Sequence, residues 1–268
     1  MTDNQKSSVL LCLHGWGGDK SSFTELREAL KDAPIEILTP DLPGFGSEPE
    51  PDRPWSTDDY VDWVSVWLYN HSQIANRKSQ FFLLGHSHGG RIAIKLAARQ
   101  SQLKTINHKP TNQMRIAHLY LCAAAGIRRP RHWKRILGLA LAKSGKFFLS
   151  IPGFKALQPL ARKLLYKLVR VHDYERASPV MQQTLMKVTS EDLRPLLSQI
   201  SIPTDIFWGT DDRMTPVADA YVIHKGIKGS KLHIFKGVRH RVHRERASEI
   251  SDVIQKVAFR ENGPEIFR

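Results

Sequence analysis

The chain has 268 residues, 41% hydrophobic and 25% charged, which suits an ordinary globular protein with enough length to bury a sizeable core. Its first apolar run, Val9 to Leu13, is too short for a secretory leader, and no run approaches the ~20 residues of a membrane span; a soluble cytoplasmic protein is expected. The net charge of +14 is unevenly placed: no Asp or Glu stands between Asp62 and Asp173, and residues 63–172 hold 20 Lys and Arg, which points either to anion attraction or to a plain basic surface.

Short apolar runs alternate with longer helical patterns from Val9 to Phe259, which predicts an α/β fold with a mostly parallel sheet of about six strands flanked by helices. The first strand is expected near 8–13. A glycine-rich loop, His14-Gly15-Trp16-Gly17-Gly18, follows it, and a helix near 21–31 leads to a strand at 35–39. Ser56 and Asp59 have the spacing of a capping box and open a helix over 57–75, since the serine hydroxyl can accept from an orphan amide. A strand at 80–84 runs into Gly85-His86-Ser87-His88-Gly89 and then a helix over 88–101. After a polar loop at 102–115 comes a strand at 116–122. Cys12 and Cys122 both fall inside apolar strand-like runs and are read as free buried thiols.

Between Ile127 and Ile200 the alternation stops, and helical segments are broken by Pro130, Gly138, Gly145, Pro152, Gly153 and Pro179. Within it, Leu157, Leu160, Ala161, Leu164, Leu168 and Val171 share one helical face across 155–171. Residues 128–197 are therefore read as a helical cap inserted into a core formed by 1–127 and 198–268. Twelve cations lie between Arg128 and Arg170. The sheet resumes with strands at 204–208 and 231–235 and helices at 217–226 and 245–259.

The pattern Gly-x-Ser-x-Gly at 85–89 is weak alone but strong between a strand and a helix. Such a turn strains the serine backbone, crowds the residues two before and two after it, and aims the hydroxyl at a helix N-terminus. Serine needs a base, and the base needs an orienting carboxylate, in the chain order Ser, acid, His. No carboxylate follows the strand at 116–122, so the acid comes after 204–208, where Asp212 is favoured and Asp211 is the alternative. After the last strand, His240 is favoured as base over His243, while His224 and His233 are read as structural or solvated. The backbone amides of Trp16 and His88 are the candidate donors to the oxyanion.

Taken together, LHGWGG, DLPGFG (41–46), GHSHGG, WGTDDRMTP (208–216) and H-x-x-H-x-E (240–245) resemble the α/β-hydrolase superfamily over nearly the whole chain. The chain is most similar to small capped serine esterases and lipase-like members, with HGWG and DLPGFG resembling pimeloyl-ester carboxylesterases. The resemblance implies carboxylic-ester cleavage, with the triad acid at the third residue after Gly209, which is Asp212, and the triad histidine at His240. Arg239 stands where a glycine commonly precedes that histidine, and His88 stands where an apolar residue is usual. Serine at the nucleophile position argues against epoxide-hydrolase and dehalogenase chemistry. His86 stands where many carbon–carbon bond hydrolases carry Asn. Arg91 resembles the residue that vitamin K pathway lyases of this fold carry, which implies a substrate-binding role toward an acidic group.

A lyase or carbon–carbon hydrolase acting on an anionic metabolite, and a non-hydrolytic ligand-binding protein, are the alternatives to an esterase. The complete triad argues against the last. The expected partner is a small-molecule ester. The basic block lacks interleaved stacking aromatics, so no nucleic acid is expected. Weak association with an anionic membrane surface stays open, as does the oligomeric state. No phosphate-cradling loop and no metal-ligand cluster is legible, so no cofactor is expected.

Overall fold

A computed structural model describes residues 8–71, 80–100, 115–129 and 177–261. Six strands make one parallel sheet: β1 (Ser8–Leu13), β2 (Ile35–Leu38), β3 (Gln80–His86), β4 (Ile116–Cys122), β5 (Thr204–Gly209) and β6 (Lys231–Phe235), in the order β2-β1-β3-β4-β5-β6. Every residue of β1 and β5 is buried, and β1 accordingly reads as a near-continuous apolar run rather than an alternating one. The chain steps outward from β1 to β2 and then back across to β3. This puts a switch point between the carboxyl ends of β1 and β3, where open α/β sheets form their binding crevice.

The described helices are α1 (Thr24–Ala29), α2 (Thr57–Asn70), α3 (His88–Arg99), α4 (Pro179–Ser190), α5 (Arg194–Leu197), α6 (Ala218–Gly226), α7 (Val242–Glu245) and α8 (Ala247–Glu261). The helix expected at 21–31 is a 3₁₀ turn, Lys20–Phe23, capped by Asp19, followed by the shorter α1. The helix expected at 57–75 ends at Asn70, with His71 as its C-cap; its start is as read, with Ser56 and Asp59 bonding reciprocally. The last helix begins earlier and in two pieces, α7 and α8, parted at Arg246. Among the described residues no helix is long and apolar enough to cross a membrane.

Most of the segment read as a cap, residues 130–176 with the amphipathic stretch 155–171, lies outside the described residues, as do 102–114 of the polar loop. The described return of that segment, α4 and α5, is anchored to the sheet domain by polar bonds. The Trp55 N–H donates to Thr184 Oγ1 at 3.0 Å, and the Leu193 N–H to the Gly126 carbonyl at 2.8 Å.

Helix α3 buries eleven of its twelve residues, including Arg91 and Lys95. A buried cation needs a partner. Lys95 Nζ donates to Asp58 Oδ2 at 2.8 Å and also to Glu191, while Arg99 pairs with Asp58 and Asp62 and Arg129 with Asp219. Among the described residues, three cations of the acid-free stretch are thus paired in space with acids from α2, from the end of α4 and from α6.

Cys12 and Cys122 are free and fully buried, and burial pushes both thiols upward, so they act as small apolar side chains. On β4–β6 a buried carboxylate, Asp205, accepts from His118 Nε2 at 2.7 Å and from His233 Nε2 at 2.6 Å. His118 stacks on Tyr120 and His233 on Phe207, so three neighbouring strands share one polar knot inside an aromatic layer. Burial pushes the Asp205 carboxyl up, but the two imidazole bonds outweigh it and hold the group below its ordinary 3.8. A depressed folded pKa contributes stability that is full above the unfolded value and lost as pH falls through the folded one. Asp205→Asn is therefore expected to cost about 2 kcal/mol in urea unfolding at pH 7. The gap to wild type should narrow below about pH 4, once the unfolded wild-type chain takes up the proton that the folded Asp205 still resists. A gap unchanged down to pH 3 would contradict this account.

Candidate active site

At the end of β3 the chain turns so sharply that Ser87 takes φ +50°, a left-handed conformation that costs a non-glycine residue strain, and α3 starts at the next residue. The turn needs its glycines for two different reasons. A Cβ on Gly85 would lie 2.5 Å from the Gly89 carbonyl and 2.6 Å from Gly90 Cα, the crowding across the elbow expected from sequence. A Cβ on Gly89 would instead run into the Leu13 carbonyl, so that glycine is required by the approach of β1. The same closeness lets the Gly89 N–H donate to the His14 carbonyl at 3.0 Å, tying the loop after β1 to the first turn of α3.

That loop is held by His14, fully buried, whose Nδ1 donates to the Gly15 carbonyl at 2.8 Å while Nε2 accepts from the Leu42 N–H at 2.9 Å. These two bonds define a neutral tautomer, and burial holds the ring below its ordinary pKa. Gly15 lies against Ser87: a Cβ there would be 3.1 Å from the serine Cβ. The Trp16 ring meets the His88 ring edge-on at 5.4 Å. Neither the Trp16 nor the His88 amide is engaged by another described backbone group. His88 itself is buried between Trp16 and Tyr60, and burial lowers its pKa to about 3, so the ring is neutral.

The carboxyl ends of β5 and β6 are laced together. The Thr210 N–H donates to Phe235 O and the Asp211 N–H to Val238 O, both at 3.0 Å. Within this frame His240 Nδ1 lies 2.8 Å from Asp212 Oδ2. The other carboxylate oxygen, Asp212 Oδ1, accepts from the Met214 and Thr215 amides at 2.8 and 3.0 Å. Burial raises the Asp212 carboxyl, but the bond and charge of His240 and the Thr215 and Met214 donors outweigh it, so the group is an anion at neutral pH. Asp211 points outward, exposed, and accepts from its neighbour's hydroxyl, Thr210 Oγ1. His243 is buried against Phe23 and His86 instead of reaching Asp212.

No role was read in the sequence for two further residues. Thr215 Oγ1 lies 2.8 Å from Asp212 Oδ2, 3.1 Å from the Ala123 carbonyl and 3.3 Å from His240 Nδ1, at the centre of the Asp212–His240 contact. The signal was there in the turn sequence, since a Thr three residues after an Asp can bond back to it. His86, ahead of the serine, donates from Nε2 to the His240 carbonyl at 3.0 Å. Arg239 is exposed and not left-handed, so the base loop forms without a glycine there. Arg91, one turn along α3 from Ser87, is buried and gives one N–H to the Glu191 carbonyl at 3.0 Å, and burial lowers its pKa to about 10. Among the described residues no group of three or more His, Cys, Asp or Glu is placed to hold a metal ion.

Known proteins resemble the chain in both sequence and fold. It is 24% identical to Lipase 1 of Psychrobacter immobilis over 259 residues, covering 93% of this chain and 76% of that one. It is 28% identical to the AB hydrolase superfamily protein YisY of Bacillus subtilis over 263 residues, 91% of this chain and 89% of the other. In fold it matches the solved esterase EaEST from Exiguobacterium antarcticum with a TM-score of 0.64 at 21% identity, covering 94% and 92% of the two chains. The sequence model of the alpha/beta hydrolase family matches residues 10–253, the span that carries the elbow, both loops and all six strands but the first two residues of β1, and the chain belongs to that family.

Proposed function

We propose that the protein is a serine hydrolase that cleaves carboxylic esters through an acyl-enzyme. The observation that carries this reading is the 2.8 Å bond between His240 Nδ1 and a saturated, anionic Asp212, in a loop tied by His86 to the strained Ser87. Asp212 fixes the tautomer with the proton on Nδ1, which leaves Nε2 as the base. Ser87 Oγ gives its proton to Nε2 as it bonds to the ester carbonyl carbon, and the oxyanion is met by the Trp16 and His88 amides. Collapse breaks the bond to the alcohol oxygen, which leaves carrying the proton from His240. Water then repeats the sequence on the acyl group, releasing the acid and restoring Ser87. The names Lipase 1 and esterase borne by similar proteins agree with this chemistry.

Arg91 has donors beyond the one spent on Glu191, and these are the means by which it would hold an anionic acyl group or, on the second reading, the acidic metabolite of a lyase. The test is a panel of p-nitrophenyl esters varied in chain length and acyl charge, assayed on wild type and Ser87→Ala at several salt concentrations. Saturable turnover by wild type alone is expected. If the basic segment serves anionic substrates, their kcat/KM should fall with salt while neutral esters hold steady, because exposed charges are screened over about 8–10 Å. Identical salt responses would leave a basic surface without that role, and no turnover of any ester would overturn the esterase reading.

A further inference from the structure

We propose that His86 is a positioning residue, coupling the nucleophile elbow to the base loop through its hydrogen bond to the His240 carbonyl. The inference rests on reading Ser87 and His240 as nucleophile and base. His86 is the last residue of β3, directly before Ser87, and is only 7% exposed. Its Nε2 lies 3.0 Å from His240 O, and since a carbonyl can only accept, Nε2 carries the proton. The ring is clamped from three sides. The His243 ring on α7 lies 3.9 Å away at 38°, the His240 ring lies 4.9 Å away, and a Cβ at Gly15 would stand 2.9 Å from His86 Nδ1.

Asp212 and His86 do different things to the base. Asp212 holds the imidazole through Nδ1 and sets which nitrogen is bare. His86 holds the main chain of the same residue and refers it to the main chain of the serine, one residue away. Without the second tether the ring could keep its tautomer and still stand at the wrong distance from Ser87, and a displacement near 1 Å costs reactions of this kind ~10²-fold. Burial first, and then His243, His240 and His14 around it, hold the His86 ring well below its ordinary pKa. It therefore stays a neutral single donor and sets no second cation beside His240 when that ring takes up the serine proton.

A filler role would be met by any flat ring, which makes the two accounts separable. His86→Phe keeps the ring and removes the donor. His86→Gln carries an amide N–H close to where Nε2 sits, whereas in His86→Asn the amide reaches only as far as Nδ1. The variants are to be compared by kcat, KM, unfolding midpoint and rate of fluorophosphonate labelling. Phe and Asn are expected to lower kcat and labelling rate by ~10- to 100-fold with KM changed less than about threefold, and Gln to recover to within about threefold of wild type. Should Phe fail to fold, Asn against Gln makes the same comparison. A Phe variant as fast as wild type, a Gln variant as slow as Phe, or a loss that tracks the unfolding midpoint alone overturns the proposal. Labelling of wild type at a residue other than Ser87 would sink the reading of Ser87 as nucleophile on which the proposal rests, whereas single-site labelling of Ser87 at equal rates in all variants would remove only the role of His86.

Discussion

Ser87→Ala is expected to take no label from a serine-directed fluorophosphonate, where the wild type is labelled at this one residue, and to lose at least ~10³ in kcat toward its best ester. The size of the effect follows from the chemistry that disappears. Without Oγ no covalent intermediate forms, and what remains is binding and the pull of the oxyanion donors, which alone still accelerate hydrolysis over water. The fold should be indifferent. Ser87 is the N-cap of α3 but makes no side-chain cap bond, and alanine at φ +50° has the same Cβ as serine to accommodate. A native unfolding transition with labelling abolished is therefore the expected pair of results. Labelling at a second serine in the Ala variant would move the nucleophile elsewhere.

His240→Ala and Asp212→Asn are each expected to cost at least ~10³ in kcat, for different reasons. The first removes the proton acceptor. The second keeps the shape but presents an amide to Nδ1, so the favoured tautomer puts the proton on Nε2 and blocks the base. Asp211→Asn, whose side chain is exposed and accepts from Thr210, should cost less than about tenfold. Thr215→Val falls between, at about tenfold, because the Asp212–His240 bond survives while Asp212 Oδ2 loses a hydroxyl donor. Steady-state kinetics with melting curves on all four variants decide it. Were Asp211→Asn the severe lesion and Asp212→Asn the mild one, the acid would sit one turn position earlier than the geometry indicates.

The sheet was legible in the sequence because a parallel strand covered on both faces has little choice but to be apolar throughout. SVLLCL and IAHLYLC therefore mark strands at the residues where β1 and β4 are found. The elbow was legible because its glycines answer to backbone collisions, which no side chain can avoid. Helix ends were less so. Whether α2 stops at Asn70, or the last helix divides at Arg246, depends on which cap bond closes first, and single residues do not announce it.

By itself the sequence determined the α/β order of elements, the serine at the strand–helix turn, and the two loops that supply an acid and a histidine. Each of these is a local pattern, written in neighbouring residues. Tertiary structure alone decided which of two adjacent aspartates meets which of two nearby histidines, since consecutive residues in a turn point in different directions and a hydrogen bond tolerates only a few tenths of an ångström. It also decided the bonds of His86 to His240 and of Asp205 to His118 and His233, between residues up to 154 positions apart. The charge pattern shows the same division. A run without a carboxylate is plain in the sequence, yet among the described residues Asp58, Asp62, Glu191 and Asp219 stand against three of its cations in the fold. Coulomb attraction depends on separation in space, and packing brings together what the chain keeps apart.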